Sequence, residues 1–419
     1  MTRSPFDLVS IHKLSRLLAA GYSRKEEFNM FRIGKEELAA VERVFNTRAL
    51  FKINGSGQDA LHAENEMKAL FGTENALLMT SGHAALASAL VAMGIGPGDQ
   101  VIVPAYTYIA TAMAVLEAGA IPVIVEVDET LTLCPKAFEA AITKYTKAVI
   151  PVHIQGFPCR MDEICRIADE HGILVLEDAC QADGGSFKGK RLGTIGAAGA
   201  LSFNFFKIIT AGEGGALLTD RKEIYERALI YHDSSAIAYF GDQLSGVEAE
   251  QFCGTEYRIS GITAAILREQ FKRLDGILAD LRANKKYVMD GLSDVCSFLP
   301  SNDIEGDCGT TVAILTDSAE KATAIAKAEG VGGVVPITTG KHIYNNWTPI
   351  MNKKGAFNPL MDPFLMEANK DIIPDYQAND CPKTLDLLAR VVYIGVDPDW
   401  TKEVMDAKIA AIRKAVKGV

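Results

Sequence analysis

The chain has 419 residues, a formal net charge of −10 at pH 7 and 48% hydrophobic residues, so it is expected to bury a substantial core in about two to three domains. The acidic charge argues against a nucleic-acid partner, and the eight cysteines lack the spacing of a zinc site. No apolar run approaches the ~20 residues that span a bilayer, so we expect a cytoplasmic protein with no metal and no membrane partner.

Three segments are predicted along the chain. Residues 1–40 form an N-terminal arm or helix, residues 41–284 a large domain, and residues 285–419 a smaller C-terminal α+β domain. In the large domain, short β-branched runs alternate with helix-like segments, as at residues 100–104, 121–126, 148–152 and 173–177. This alternation predicts an α/β fold with a mainly parallel sheet flanked by helices, and ligands bind beyond the carboxyl ends of such strands.

The first candidate site follows an apolar run and reads Thr80-Ser-Gly-His-Ala-Ala-Leu86. Its Ser-Gly turn opens a helix, so Gly82 and His83 could offer backbone N–H groups and the positive end of the helix dipole to a phosphate. Ser-Gly is also an ordinary helix cap, and this pattern alone leaves both interpretations open.

Two tyrosines follow the next predicted strand. Tyr106 and Tyr108 are two residues apart and point the same way in an extended segment. They could form a face on which a flat ligand ring stacks, or they could be packing residues.

Two carboxylates end a strand that should be buried. Glu177 and Asp178 are adjacent there, and an unpaired buried charge is costly. Either the N–H of a pyridinium ring or a structural arginine could compensate one of them. Gln181, three residues further on, could reach the same ligand.

A lysine lies in the apolar stretch Ser202-Phe-Asn-Phe-Phe-Lys207-Ile-Ile, shortly before the glycine-rich run 212–215. A lysine among apolar groups loses its proton more easily, as Schiff-base chemistry requires, although many lysines only snorkel to the surface. In chain order, the four features supply a phosphate cradle, a stacking ring, a buried anion and a reactive amine. Together they describe a site for pyridoxal 5′-phosphate.

These motifs, in this order and spacing, resemble those of the DegT/StrS-type sugar aminotransferases, which use pyridoxal phosphate and have the fold of aspartate aminotransferase (fold type I). The resemblance runs from about residue 30 to the C-terminus. It implies that Lys207 forms the Schiff base and moves the proton, and that Asp178 keeps the pyridine nitrogen protonated. It further implies ring stacking by Tyr108, a contact of Gln181 with the phenolic oxygen, and phosphate binding by Gly82, the backbone of His83, and Ser202.

The sequence departs from the family pattern at two positions. His83 stands where the family usually has Thr, Ser or Asp, which leaves only the backbone contact there. Glu256 replaces an asparagine that reaches the phosphate of the neighbouring subunit in the family, so we assign Glu256 no cofactor contact. The adjacent pair Tyr257 and Arg258 matches the pattern and implies a homodimer with a shared active site.

The segments 340–347 and 355–364 resemble the branch of the family that aminates keto-cyclitols, and less closely a branch that aminates octulosonic acids. If they bind the substrate, four side chains would contact sugar hydroxyls: Lys341, His342, Asn345 and Asn346. The alternative is a structural loop that caps the small domain. His153 is expected to be structural.

The resulting hypothesis is an aminotransferase that moves an amino group from L-glutamate or L-glutamine to a keto-sugar or keto-cyclitol by ping-pong half-reactions. A sugar dehydratase of the same family is one alternative, but in that branch a histidine replaces the Schiff-base lysine, and Lys207 argues against it. The other alternative is a non-catalytic regulator. A degraded cofactor site or an added DNA-binding segment would mark such a regulator, and the sequence shows neither.

Overall fold

A computed structural model describes residues 31–52, 58–234 and 246–419 of the chain. Most of the predicted N-terminal arm, residues 1–30, lies outside the described residues. None of the helices in the described ranges is long and apolar enough to cross a membrane.

The central element is a seven-stranded sheet. The strands of the first half of the chain are β1 Asn75–Met79, β2 Gln100–Pro104, β3 Ile121–Val125, β4 Thr146–Val149, β5 Leu174–Asp178, β6 Ser186–Phe187, β7 Lys190–Arg191, β8 Ala198–Ser202 and β9 Gly215–Thr219. The order in the sheet is β1-β9-β8-β5-β4-β2-β3, while β6 and β7 form a separate hairpin. Neighbours from β3 to β8 are parallel, and β9 is antiparallel to both β8 and β1. The predicted mainly parallel sheet is confirmed.

Helices cover both faces of this sheet. They are Lys35–Thr47, Asp59–Phe71, Gly82–Ala92, Ala110–Glu117, Pro135–Ala140, Met161–His171, Lys222–Tyr231 and Gly261–Asp290. Neighbouring strand residues belong to different apolar clusters: Leu77 packs on one face of the sheet and Leu78 on the other. Because side chains alternate along a strand, strands buried on both faces are almost wholly apolar, which explains the runs seen in the sequence.

The last part of the chain forms a smaller α+β unit. The strands β10 Ser297–Phe298, β11 Thr311–Leu315 and β12 Val391–Gly395 form an antiparallel sheet. The helices of this part are Ala319–Lys327, Thr348–Met351, Pro382–Arg390 and Lys402–Lys417. The predicted boundary at 284/285 falls inside the 30-residue helix Gly261–Asp290, which therefore runs through both units.

Part of the C-terminal unit returns to the large sheet. Residues 336–378, called the return segment below, contain short 3₁₀ turns at Pro336–Thr338, Tyr344–Asn346, Pro359–Met361, Pro363–Leu365 and Glu367–Asn369. The side chain of Gln100 donates to the carbonyl of Ile372 at 2.7 Å, and the hydroxyl of Tyr376 donates to the carbonyl of Pro122 at 2.7 Å. This return segment brings residues from late in the sequence to the edge of the large sheet.

Candidate active site

A cavity of about 360 Å³ lies beyond the carboxyl ends of the parallel strands, in the size range of small-molecule sites. Five of the predicted site residues line it: Tyr108, Gln181, Lys207, Lys341 and His342. A larger cleft of about 730 Å³ lies between residues 126–137 and 382–390, but it contains none of the predicted residues. We therefore place the candidate site in the smaller cavity, called the Lys207 cavity below.

Lys207 lies five residues after β8, in a loop whose two ends are joined by backbone hydrogen bonds. Phe203 donates its N–H to the carbonyl of Gly214 at 2.8 Å and accepts the N–H of Ala211 at 3.0 Å. Lys207 is half-buried, and within the described part of the chain its ammonium group has no ion-pair partner. The preceding Phe206 is 72% exposed, so the apolar surroundings expected from the sequence hold on one side of the lysine only.

Glu177 is compensated by the protein itself. Its carboxylate is fully buried and accepts backbone N–H groups of Gly193 at 2.9 Å and Gly196 at 2.7 Å. His153 lies 3.1 Å away through Nε2, and its Nδ1 accepts the N–H of Cys159 at 3.0 Å. No structural arginine contacts Glu177 among the described residues, and the buried position of His153 agrees with the structural role predicted for it.

Asp178 has only neutral partners in the described chain. One oxygen accepts the hydroxyl of Thr111 at 2.7 Å, and the other accepts the backbone N–H of Cys180 at 3.2 Å. The residue is buried, and no lysine, arginine or histidine forms an ion pair with it there. A buried carboxylate with no cation from the protein is suited to the N–H of a pyridinium ring.

The ends of three elements meet at a compact candidate site for an anion. Ser81 caps the helix Gly82–Ala92 by accepting the N–H of Ala84, so the N–H groups of Gly82 and His83 are free of helix bonds. A Cβ added at Gly82 would lie 2.6 Å from Sγ of Cys180 and 2.8 Å from Cβ of Ser202. Only glycine permits this close approach, which brings the helix N-terminus and the Ser202 side chain together. These groups fit a phosphate.

The His83 side chain is engaged elsewhere. Its Nε2 lies 2.7 Å from one carboxylate oxygen of Glu117, and the other oxygen accepts the hydroxyl of Tyr257. The hydrogen bond to Glu117 raises the pKa of His83, although partial burial opposes the shift. The side chain is therefore tied to Glu117, and the backbone N–H is what His83 offers to a phosphate.

Glu256 is neutralised within the chain. Its carboxylate lies 2.7 Å from Arg258, which also forms an ion pair with the buried Asp233. The carbonyl of Tyr257 accepts the N–H of Thr80, next to the candidate phosphate-binding turn at Ser81 and Gly82. The segment that the family pattern assigns to the subunit boundary thus lies beside this turn, with its acidic residue paired to an arginine.

A backbone clamp brings the candidate substrate residues into the cavity. Thr107 donates its N–H to the carbonyl of His342 at 3.0 Å, and Ile109 donates to that of Lys341 at 3.1 Å. As a result, Nζ of Lys341 lies 5.1 Å from the centre of the Tyr108 ring, and the ring of His342 lies 5.6 Å from it. Burial and the positive charges of Lys341 and Lys207 lower the pKa of His342 to about 4, so its ring is uncharged at neutral pH.

Two of the predicted substrate residues do not reach the Lys207 cavity. The side-chain amide of Asn345 donates to the carbonyl of Ala378 at 3.4 Å, and that of Asn346 donates to the carbonyl of Gly340 at 3.1 Å. Both lie in the 3₁₀ turn Tyr344–Asn346, which directs them to the return segment itself. For these two residues the alternative of a structural loop is the better interpretation.

Sequence reasoning missed three polar residues that line the cavity: Gln155, Asn204 and Thr310. Gln155 donates its backbone N–H to the side-chain carbonyl of Gln181 at 3.1 Å, and Thr310 donates its hydroxyl to the carbonyl of Gln155 at 2.6 Å. Gln155 follows a strand end, so the same rule that identified the other site residues could have identified it. Thr310 lies far along the chain, and nothing local marks it.

Asp183 is an unexpected buried acid near this site. It is 0% exposed, and neither carboxylate oxygen has a hydrogen-bond partner in the described ranges. Burial raises its pKa well above the ordinary value, against the opposing effects of the positive charge of Lys207 and the nearby backbone N–H of Ser202. The buried position of Asp183 therefore disfavours its ionised form.

The chain is similar to known proteins in both sequence and structure. A sequence model described as the DegT/DnrJ/EryC1/StrS aminotransferase family matches residues 32–335. The spore coat polysaccharide biosynthesis protein SpsC of Bacillus subtilis (strain 168) is 32% identical over 398 residues, which cover 92% of this chain and 96% of SpsC. The structure of an aminotransferase from Psychrobacter cryohalolentis is 26% identical, with a TM-score of 0.75 over 94% of this chain and 99% of its own. DesV of S. venezuelae is 27% identical, with a TM-score of 0.74 over 100% of both chains.

Proposed function

Because the chain belongs to the DegT/DnrJ/EryC1/StrS aminotransferase family and its cofactor is pyridoxal 5′-phosphate, we propose that it transfers an amino group from L-glutamate or L-glutamine to a keto-sugar or keto-cyclitol. The observation that carries this proposal is one cavity in which the amine of Lys207 faces the polar residues of the return segment. A lysine in this position favours transamination over the dehydratase alternative.

The residues around the cavity would each bind a different part of the cofactor. Pyridoxal phosphate, when bound, supplies a positively charged ring that withdraws electrons from the substrate carbon next to the amino group. Asp178 would accept the ring N–H, and Tyr108 would lie against the ring. Gln181 would contact the phenolic oxygen, while the N–H groups of Gly82 and His83 and the hydroxyl of Ser202 would bind the phosphate.

Lys207 carries the proton transfer in this proposal. Once the substrate amine displaces it, Nζ of Lys207 would take the proton from the α-carbon of the donor and deliver it to the cofactor within the first half-reaction. In the second half-reaction it would move a proton the opposite way, onto the acceptor carbon that receives the amino group. The absence of an ion-pair partner within the described residues keeps this amine available. Ile208, the next residue, is buried and lines the same cavity, which gives the amine one apolar neighbour.

The chemical class of the acceptor is inferred from the polar side chains that line the cavity. Amide and hydroxyl groups of Gln155, Asn204 and Thr310 line it, together with the uncharged imidazole of His342. A sugar or cyclitol ring presents several hydroxyl groups, and a site built to hydrogen-bond them discriminates strongly against compounds that lack them.

We further propose that the active site is shared in a homodimer. Phe206, next to Lys207, is 72% exposed, and Tyr257 and Arg258 lie beside the phosphate-binding turn. A second copy that covers this mouth would exclude water from the reacting groups. Sedimentation analysis of the protein with bound cofactor should give the mass of a dimer; a monomer with full activity would contradict the proposal.

The visible absorption spectrum tests the proposed reaction. The purified protein with pyridoxal phosphate should show the yellow band of the lysine-bound cofactor, and L-glutamate or L-glutamine should bleach it. The Lys207→Ala variant should bind some cofactor but lose the band and all turnover. Lys147→Ala, which removes an exposed lysine remote from the cavity, is the matched control. A parent protein whose band is indifferent to both donors would contradict the proposal and favour a regulator.

A further inference from the structure

The charged side chains described in the Lys207 cavity are all positive. Of the described residues that line it, the charged ones are Lys207 and Lys341, and no aspartate or glutamate is among them. In the proposed reaction Lys207 forms a covalent bond with the cofactor. His342 is uncharged at neutral pH because burial and the two neighbouring lysines lower its pKa to about 4. Lys341 is therefore the cation left for a ligand in this cavity.

Lys341 is held at the cavity by its backbone while its side chain stays free. The carbonyl of Lys341 accepts the N–H of Ile109, and the N–H of Tyr344 donates to the carbonyl of Ala105 at 3.0 Å. The side chain is exposed and lies over Tyr108, and its ammonium group has no ion pair with any described carboxylate. Nδ1 of the neighbouring His342 is buried and has no hydrogen-bond partner in the described chain. The ammonium group of Lys341 and the ring of His342 thus both lie beside Tyr108, 5.1 and 5.6 Å from the centre of its ring.

We propose that Lys341 binds a carboxylate of the amino donor and thereby determines donor affinity. The inference rests on the proposed function, in which L-glutamate or L-glutamine enters this cavity. Each donor carries an α-carboxylate, and removing a carboxylate from water without a cationic partner is costly. Lys341 lies over Tyr108 and lines the same cavity as Lys207, within reach of a donor carboxylate, whereas sugar hydroxyls can be bound by the neutral polar side chains.

The test measures the two donors separately. Single-turnover bleaching of the cofactor band, followed against donor concentration, gives a dissociation constant and a maximal rate for L-glutamate and for L-glutamine. In Lys341→Met we expect the dissociation constant to rise about tenfold, the change that corresponds to ~1.4 kcal/mol, with little change in maximal rate. Lys341→Arg should retain most of the affinity. Lys327→Met, at an exposed lysine away from the cavity, is the matched control.

The two donors also identify the carboxylate. An equal loss of affinity for L-glutamate and L-glutamine assigns the α-carboxylate, because both donors carry it. A loss confined to L-glutamate assigns the side-chain carboxylate, which L-glutamine lacks. In either case donor affinity should depend less on salt in Lys341→Met than in the parent protein.

The outcomes separate the two proposals. Normal bleaching in the parent protein together with unchanged dissociation constants in Lys341→Met would overturn this inference and leave the proposed function intact. Failure of the parent protein to react with either donor would overturn the proposed function and this inference with it. An unchanged absorption band of the cofactor in Lys341→Met shows that the variant is folded with its cofactor site intact.

Discussion

Gly82 offers the sharpest test of the cofactor cradle. Its backbone conformation is accessible to alanine, since its φ angle is not in the left-handed region. The obstacle is space: a new Cβ would lie 2.6 Å from Sγ of Cys180 and 2.8 Å from Cβ of Ser202, where an ordinary contact is at least 3.4 Å. Gly82→Ala therefore forces the two neighbours to move by about 0.8 and 0.6 Å respectively.

The expected cost of Gly82→Ala follows from this displacement. Overpacking a well-packed interior usually costs about 1–3 kcal/mol. Because the displaced groups surround the phosphate site, part of that cost should appear in cofactor binding as a dissociation constant for pyridoxal phosphate raised about tenfold. Titration of cofactor-free protein, followed by absorption, measures this constant, and denaturant unfolding measures the change in stability.

Gly276→Ala is the matched control. Gly276 lies inside the helix Gly261–Asp290, and a Cβ there would meet no atom within 4 Å. This variant should be more stable by about 0.4–1 kcal/mol, since alanine loses less backbone entropy than glycine, and its cofactor affinity should not change. Adding Cys180→Ala to Gly82→Ala removes the nearer obstacle and should restore part of the affinity. If Gly82→Ala binds the cofactor as tightly as Gly276→Ala, the described cradle is not the phosphate site.

Three further substitutions test the carboxylates near the site. Asp178→Asn should lower the rate of band bleaching by about 10²–10³, because a neutral amide cannot hold the ring nitrogen protonated; stopped-flow absorption with L-glutamate measures it, and a near-normal rate would exclude this role. Glu177→Gln should instead lower the thermal midpoint, since it removes a charge that accepts several backbone N–H groups and the His153 ring; a variant that loses turnover at unchanged stability would show that Glu177 is more than structural. The pKa of Asp183 is raised on folding, so its ionised form favours the unfolded chain and its contribution to stability falls as the pH rises above about 4. Asp183→Asn should therefore gain thermal stability relative to the parent between pH 4 and pH 8, and a difference that is constant across this range would contradict the shifted pKa.

The fold was predictable because its signals are local. Strands such as β2 and β8 are buried along their whole length, so their apolar runs stand out in the sequence. The positions of Gly82, Asp178 and Lys207 follow from the same local reasoning, since each lies at or just beyond a strand end. The rule that ligands bind at the carboxyl ends of parallel strands then predicts that these residues meet.

The remaining features depend on contacts between distant parts of the chain. The partners of Glu177 are His153 and backbone N–H groups more than a dozen residues away. From the sequence an arginine is an equally reasonable partner for a buried carboxylate, because the N–H groups that surround Glu177 come together only in the folded chain. Thr310 enters the cavity from the C-terminal unit through a bond to the backbone of Gln155. The 3₁₀ turn that directs Asn345 and Asn346 away from the cavity is similarly fixed by the tertiary fold.

The clamp between residues 105–109 and 341–344 separates two tasks of the protein. It consists of main-chain hydrogen bonds, which do not depend on the identity of the side chains they position. The side chains at 341 and 342 can therefore be exchanged without releasing the segment that carries them, and neither is among the residues proposed to hold the cofactor. A library restricted to these two positions would search new donors and acceptors on an unchanged catalytic base, which makes this short segment the natural starting point for redesign of substrate range.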